Sequence, residues 1–395
     1  MPQFSIVIPT KDRPSVLSGT IKYCLSQTFN DFEAVIVDNG SDGAAKELFD
    51  GFDDARLRYV RTGNLSMPDN WDRALSAAQG DYIYIIGDKI PLHQDALAIV
   101  HESIKADKAD LLSFPYNSGY VSSTTADIAN SCKKIPSSAP LEAIKAGRLK
   151  EFMQWFGSYT TIVSKKKLAV SLREKYSRVI IPFSPDYTLP YICLLHTEYF
   201  LSGSTALFAH PTIPGTGHSA MFQGKRAREF LADSGSSPTD WVAFSPIPVD
   251  SIKNSLVSDF FRVCDFTKQG VDNGAVDLQH LWKLIFTDLC GTEALFHVDN
   301  TNKFMELFQF LEDNALFSYE DINTFLVEQS SVTNRQIKDV EHSIVKNSFA
   351  ANNQILDVVG SLTKQLNKTN RQITELERLV AELQTTVTQM KNLHS

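Results

Sequence analysis

Apolar positions in the first 115 residues follow two patterns that take turns along the chain. The run 4–9 (FSIVIP) is continuous, as in a strand buried on both faces, and Pro9 closes it. A helical stretch at 15–27 follows, then a strand at 33–37 that runs into Asp38-Asn39-Gly40-Ser41-Asp42. Residues 56–60 (RLRYV) read as a short strand and 69–79 as a helix stopped by Gly80. Strand 82–86, helix 94–106 and strand 110–114 complete the series. Strands alternating with helices predict a parallel α/β sheet. Ligands of such sheets bind beyond the carboxyl ends of the strands. The polar clusters at 10–13, 38–42 and 87–89 all fall there.

Beyond this region the pattern changes. Residues 115–150 are irregular and rich in Ser, Thr and Lys, which suits a loop or an acceptor-facing insertion. Apolar runs resume at 179–219, around Ser184-Pro185-Asp186-Tyr187, and end in Gly215-Thr216-Gly217-His218-Ser219. A Ser/Pro-rich stretch at 233–250 reads as a linker. After it, apolar residues at i, i+3 and i+4 predict helices at 251–266, 277–289, 302–312 and 319–328. The expected division is an α/β domain at 1–230, a linker at 231–250, a small α-helical domain at 251–345 and a coiled-coil segment at 346–395.

The last segment has the clearest period. Ile355, Val359, Leu362, Leu366, Thr369, Ile373, Leu376, Val380, Leu383, Val387 and Met390 alternate steps of four and three. This is a heptad seam, and mostly β-branched residues at a with Leu at d favour a parallel dimer. Thr369 at a d position and the neutral flanks Asn370, Gln372, Gln384 and Thr386 leave dimer against trimer open. The expected partner is a second copy of the chain, in a homodimer or homotrimer through 355–390. A long amphipathic helix packed on its own domain is the other reading.

Composition narrows the classes. A net charge of −8 argues against nucleic-acid binding by phosphate neutralisation. The cysteines (24, 132, 193, 264 and 290) form no CxxC pair, which predicts reduced thiols in a cytoplasmic protein. No basic n-region precedes the first apolar run and no stretch is long enough to span a bilayer, so neither a signal peptide nor a transmembrane segment is expected. Peripheral contact with the inner face of the membrane stays open.

Several residues carry candidate chemistry. A carboxylate at Asp38, ending a buried strand, can accept a hydrogen bond from a base N–H or a ribose hydroxyl; Asp-Asn-Gly is also strong turn chemistry. Thr10, Asp12 and Arg13 follow Pro9 on an exposed turn, where Arg13 can reach phosphate or ribose and Asp12 can cap the next helix. Asp186 suits a general base for an acceptor hydroxyl. Ser-Pro-Asp equally suits a helix start, and the two roles are compatible. His218, in its Gly-rich loop, can contact diphosphate or a metal, or be structural.

These segments resemble a GT-A fold glycosyltransferase of family 2. Residues 4–14 (FSIVIPTKDRP) are similar to that family's first strand and nucleotide-contacting loop. Residues 34–41 (AVIVDNGS) are similar to its second, 70–75 (NWDRAL) and 80–83 (GDYI) to the helix and strand before its metal-binding DXD, and 184–187 (SPDY) to its catalytic-carboxylate region. The resemblance covers residues 4 to about 220. It implies an α/β, GT-A (Rossmann-like) nucleotide-sugar domain and transfer of a sugar, with inversion, to a glycan or lipid-linked glycan acceptor, in bacterial-type surface polysaccharide synthesis. It also implies a UDP-sugar donor, Asp186 as base, and donor binding by Pro9, Thr10, Asp12, Arg13, Asp38, Asn39, Asp88, Lys89 and His218.

One motif departs from the family. Where two or three acidic residues usually hold Mg²⁺ or Mn²⁺, this chain reads Gly87-Asp88-Lys89-Ile90. Asp88 is the one carboxylate left in this motif and its candidate metal ligand, and one carboxylate is a poor site for a hard dication. Three readings follow: Lys89 supplies the charge and transfer needs no metal; Asp88, His218 and the phosphates still hold one; or transfer is lost. In the last case the chain is a catalytically degenerate nucleotide-sugar-binding or scaffold protein oligomerised by its coiled coil. No GxGxxG follows the first strand, which disfavours a dinucleotide-dependent dehydrogenase.

Overall fold

The N-terminal apolar runs assemble into one mixed sheet in a computed structural model of the chain. The structure describes residues 1–115, 132–158, 161–163, 166–208, 237–270, 276–296, 300–314 and 316. Strands β1 (Phe4–Thr10), β2 (Phe32–Asp38), β3 (Leu57–Arg61) and β4 (Tyr82–Ile85) lie in the order β3-β2-β1-β4, all parallel. β1 and β2 are buried at every position, which is why their sequences are continuous rather than alternating. The order reverses between β1 and β4, so the crevice beyond their carboxyl ends is the topological switch point.

The five strands expected within the first 115 residues all run in one direction, and the sheet becomes mixed through strands from later in the chain. The order continues β7-β5-β8-β6, from β5 (Leu111–Ser113), β6 (Lys133–Pro136), β7 (Thr161–Val163) and β8 (Tyr199–Ser202). β7 runs antiparallel to both β4 and β5, and β6 antiparallel to β8. β5 falls within the strand expected at 110–114, whereas β7 has three residues, too short to show a period in sequence.

Local signals set the helices that frame the site. Helix α1 (Pro14–Leu25) begins with Pro at its first turn, where a missing N–H costs nothing. Between β2 and β3 lies α2 (Ala44–Asp50), which the apolar pattern did not indicate. Helix α3 (Met67–Ala77) starts on Ser66, whose hydroxyl accepts from the Asp69 N–H at 3.3 Å. Gly80 is not the stop of α3, which ends three residues earlier. A Cβ at Gly80 would lie 2.6 Å from the Phe4 carbonyl carbon and 2.7 Å from the Ser5 nitrogen, so glycine is needed for close approach to β1. Helix α4 (Ala96–Ala106) covers the sheet with Leu97, Ile99, Val100 and Ile104.

Past β6 come α5 (Ser138–Lys145), α6 (Leu149–Phe152), α7 (Lys166–Tyr176) and α8 (Pro185–Leu194). Residues 237–250 are the described part of the stretch that reads as a linker. They contain a short helix, α9 (Pro238–Trp241), and bury Trp241, Val242, Ile247 and Val249. Asn254 holds this stretch by donating from Nδ2 to the carbonyls of Ile247 and Val249, both at 2.7 Å. Helices α10 (Ile252–Thr267), α11 (Leu278–Phe296) and α12 (Thr301–Asp313) match three of the four helices expected. The fourth, at 319–328, and the heptad seam at 355–390 lie outside the described residues.

The chain divides into two compact units, Met1–Phe310 and Leu311–Ser395. The first unit therefore holds the sheet together with α10 and α11, which the sequence had set apart as a separate helical domain. The join is built on α8: the Tyr191 hydroxyl donates to the Leu256 carbonyl at 3.1 Å, and Tyr191 packs edge-on against Phe260. Among the described residues no helix is long and apolar enough to cross a membrane, and Cys24, Cys132, Cys193 and Cys264 are free.

Candidate nucleotide-sugar site

The ends of β1 and β4 meet across the switch-point crevice. Arg13 Nη1 donates to Asp88 Oδ1 at 2.9 Å, and the Thr10 hydroxyl donates to Asp88 Oδ2 at 3.0 Å. The Thr20 hydroxyl donates to the Asp88 carbonyl at 2.8 Å. Burial raises the Asp88 pKa, against the opposing pull of Arg13 and Thr10. Lys89 is half-buried beside this pair. Burial lowers its pKa, repulsion from Arg13 adds to the effect, and the charges of Asp88 and Asp186 oppose it.

Asp186 arrives from the other side of the sequence. Helix α8 starts at Pro185, as Ser-Pro-Asp predicted, and Asp186 lies in its first turn, where the dipole favours a negative charge. Burial raises its pKa; a hydrogen bond from Ser158, its own backbone N–H and the Lys89 charge oppose that rise. Lys89 thus links the β4 end electrostatically to the candidate base.

The segment that delivers Asp186 is clamped twice. Asp72 of α3 accepts on Oδ1 from the N–H groups of Val179 (2.8 Å) and Ile180 (3.0 Å), and on Oδ2 from Arg173 at 2.7 Å. Burial pushes the Asp72 pKa up, but Arg173 and these two N–H groups together hold it below its ordinary value. Asp259 of α10 accepts from the Phe183 N–H at 3.1 Å and from the Ser184 N–H at 2.9 Å. Arg262, one turn on, stands 3.5 Å from Asp259 and lies over the rings of Phe183 and Phe244. Burial drives the Asp259 pKa from 3.8 up to about 6, against Arg262 and the bonds it accepts.

A second cluster forms at the end of β2. Asp38 is fully buried. It accepts from the Gly40 N–H at 2.7 Å, the Tyr59 hydroxyl at 2.5 Å and Arg61 Nη1 at 3.1 Å. Three of its roughly four acceptor positions are engaged within the protein. The group of this cluster that reaches solvent is Arg61, whose side chain is 43% exposed. Asn39 acts as a peptide mimic: its amide donates to the Leu65 carbonyl at 2.8 Å and its oxygen accepts from the Leu65 N–H at 2.7 Å. Asp12 has a left-handed backbone (φ 54°) and accepts from the Ser41 N–H at 2.7 Å, tying the β1 loop to the β2 loop. It makes this tie rather than capping α1, whose start has no side-chain cap. Pro9 is buried within β1, opposite Val37.

The structure therefore joins Thr10, Arg13 and Asp88 by hydrogen bonds, brings the charges of Lys89 and Asp186 near enough to interact, and gives Asp12, Asp38 and Asn39 loop-holding bonds. His218 lies outside the described residues. Sequence reasoning passed over Tyr59 and Arg61, although their i, i+2 spacing on a strand put both on the Asp38 side. It also passed over Asp259, whose signal was a charge within an apolar helical stripe (Leu256, Phe260, Val263). Asp72 gave no such signal.

A family model described as glycosyl transferase family 2 matches residues 5–127. The match covers under a third of the chain. The sheet, with its β3-β2-β1-β4 half and mixed far side, has a Rossmann-like α/β architecture of the GT-A kind. GalNAc(5)-diNAcBac-PP-undecaprenol beta-1,3-glucosyltransferase of Campylobacter jejuni is 28% identical over 102 residues, covering 25% of this chain and 33% of the relative. Cholesterol galactosyltransferase of Borreliella burgdorferi is 27% identical over 111 residues, covering 27% of this chain and 31% of the relative. The chain spans about a third of the length of the curated relatives it matches. The solved structure of S. aureus TarS 1–349 in complex with UDP shares 13% identity at a TM-score of 0.43, covering 82% of this chain and 78% of that one.

The family implies a divalent metal, and the residues at this crevice do not fit one. Both carboxylate oxygens of Asp88 are bonded to Arg13 and Thr10, and its neighbours are Gly87 and Lys89. Among the described residues, no group of three or more His, Cys, Asp or Glu side chains is placed to hold a metal ion.

Proposed function

We propose that this protein transfers a sugar from a nucleotide-sugar donor, a UDP-sugar in the first instance, to a glycan or lipid-linked glycan hydroxyl, with inversion. The observation that supports this reading is Asp186, which opens α8 after a doubly clamped segment and stands near enough to Lys89 for their charges to interact. In the step, the acceptor oxygen attacks the anomeric carbon and its proton passes to Asp186. The bond from that carbon to the diphosphate oxygen breaks, and its electron pair leaves with the nucleoside diphosphate. Arg61, presented by Asp38 and Tyr59, suits the nucleoside end of the donor.

The setting proposed is bacterial-type surface polysaccharide synthesis at the inner face of the membrane, in line with the lipid-linked substrate named for the Campylobacter relative. Calorimetry with UDP, GDP and a panel of their sugars is expected to find a binder in the micromolar to millimolar range, with slow donor hydrolysis. Silence across the whole panel would overturn transfer and leave the scaffold reading. The heptad seam at 355–390 is proposed to assemble two or three chains. Sedimentation of the full chain should then give twice or three times 44.1 kDa, and a single chain mass would end that proposal.

A further inference from the structure

A divalent ion at a diphosphate does two jobs: it gathers the phosphate oxygens and it offsets the charge that departs with them. At this crevice the second job has candidates that are already cationic. Asp88 holds Arg13 at the β4 end at 2.9 Å, and Lys89 is the next residue of that loop; the Arg13 charge lowers the Lys89 pKa after the larger effect of burial. Two like charges brought together at a half-buried crevice are relieved by an anion. Lys89 occupies the loop where the family places acidic residues, so the loop carries one carboxylate and one ammonium in place of several carboxylates. Asp88, the carboxylate that remains, is bonded to Arg13 and Thr10 and so orients the guanidinium.

We propose that Lys89 together with Arg13 takes the place of the divalent ion, so that the chain binds the diphosphate of its donor independently of metal. The inference rests on the donor reading given under Proposed function. Lysine serves as a point charge for phosphate, and arginine offers a planar fork of N–H donors. Asp186, within reach of the Lys89 charge, would sense the same cation that stabilises the leaving diphosphate.

Calorimetry on the full chain with UDP and GDP, in EDTA and in MnCl₂, tests this without any turnover. For whichever nucleotide binds, the affinities in the two buffers should agree to within about threefold. Lys89→Ala should weaken that nucleoside diphosphate by about 10- to 100-fold, the worth of one charge-assisted hydrogen bond. Lys89→Arg should restore most of the loss. The parent nucleoside, which carries no phosphate, should bind Lys89→Ala and the native chain alike. This control separates a lost phosphate contact from a damaged fold. More than tenfold tightening by Mn²⁺, or native affinity in Lys89→Ala, would overturn the proposal while leaving the donor reading in place. Absence of any nucleotide binding in both buffers would overturn the donor reading itself.

Discussion

Asp186→Asn is expected to cut the transfer rate by about 10²- to 10⁴-fold, the usual worth of a positioned general base. The substitution keeps the size of the side chain and the helix start at Pro185 but removes the proton acceptor. Nucleotide affinity should change by less than about threefold, because the donor's phosphates are assigned to Arg13 and Lys89. The native pH profile should show the same group. Burial raises the Asp186 pKa, more than Ser158, its own N–H and Lys89 lower it. The base works only when ionised, so the rate should fall as pH drops through a value above the ordinary carboxylate range near 4. Asp186→Asn should lose this acid limb. An unchanged rate, or a rate lost in step with nucleotide binding, would show that Asp186 is not the base.

Asp259→Ala is the second large effect, and it acts from outside the crevice. Asp259 accepts two backbone N–H bonds at the start of α8 and stands beside a largely buried Arg262. Its removal leaves the N–H groups of Phe183 and Ser184 and the guanidinium without their anion. Breaking a buried pair from one side costs about 3–5 kcal/mol. The urea midpoint should fall accordingly, and turnover should fall further than the folded fraction does, because the freed segment carries Asp186.

The pH dependence of this contribution has a definite sign. The folded value of about 6 lies above the ordinary 3.8, so the stability linked to this group is fully present below about pH 4 and is lost as pH rises through about 6. The shift corresponds to about 3 kcal/mol between those limits. Urea unfolding of native and Asp259→Ala chains at pH 4 and pH 7 should show the larger gap at pH 4. A gap that is equal at both values, or larger at pH 7, would show that Asp259 is not held in this way.

Asp259 also changes how the chain is divided. A Ser/Pro-rich stretch followed by purely helical periodicity is a sound local reason to end one domain and begin another. The described part of that stretch instead buries Trp241 and Val249, and α10 sends a carboxylate back to the start of α8. The helices beyond residue 250 therefore help to hold the candidate base.

The sequence by itself determined the first five strands, most of the helices and the places where polar groups meet a strand end, but not β6, β7 and β8. β1, β2 and β4 were legible as unbroken apolar runs, and Asp38, Asp88 and Asp186 as carboxylates that follow a strand or open a helix. These are local properties: period, turn chemistry and the φ preference of proline each act within a few residues. The tertiary structure decided what those carboxylates do. Asp88 meets Arg13 across 75 residues of chain, Asp72 meets Val179 across 107, and Asp259 meets Phe183 across 76. No periodicity records such pairings, because they arise only when strand ends are brought side by side. The reversed charge at Lys89 was visible in the string of letters. That Asp88 is already engaged by Arg13 and Thr10, and so ill placed to hold a metal, became visible only when β1 and β4 stood next to each other.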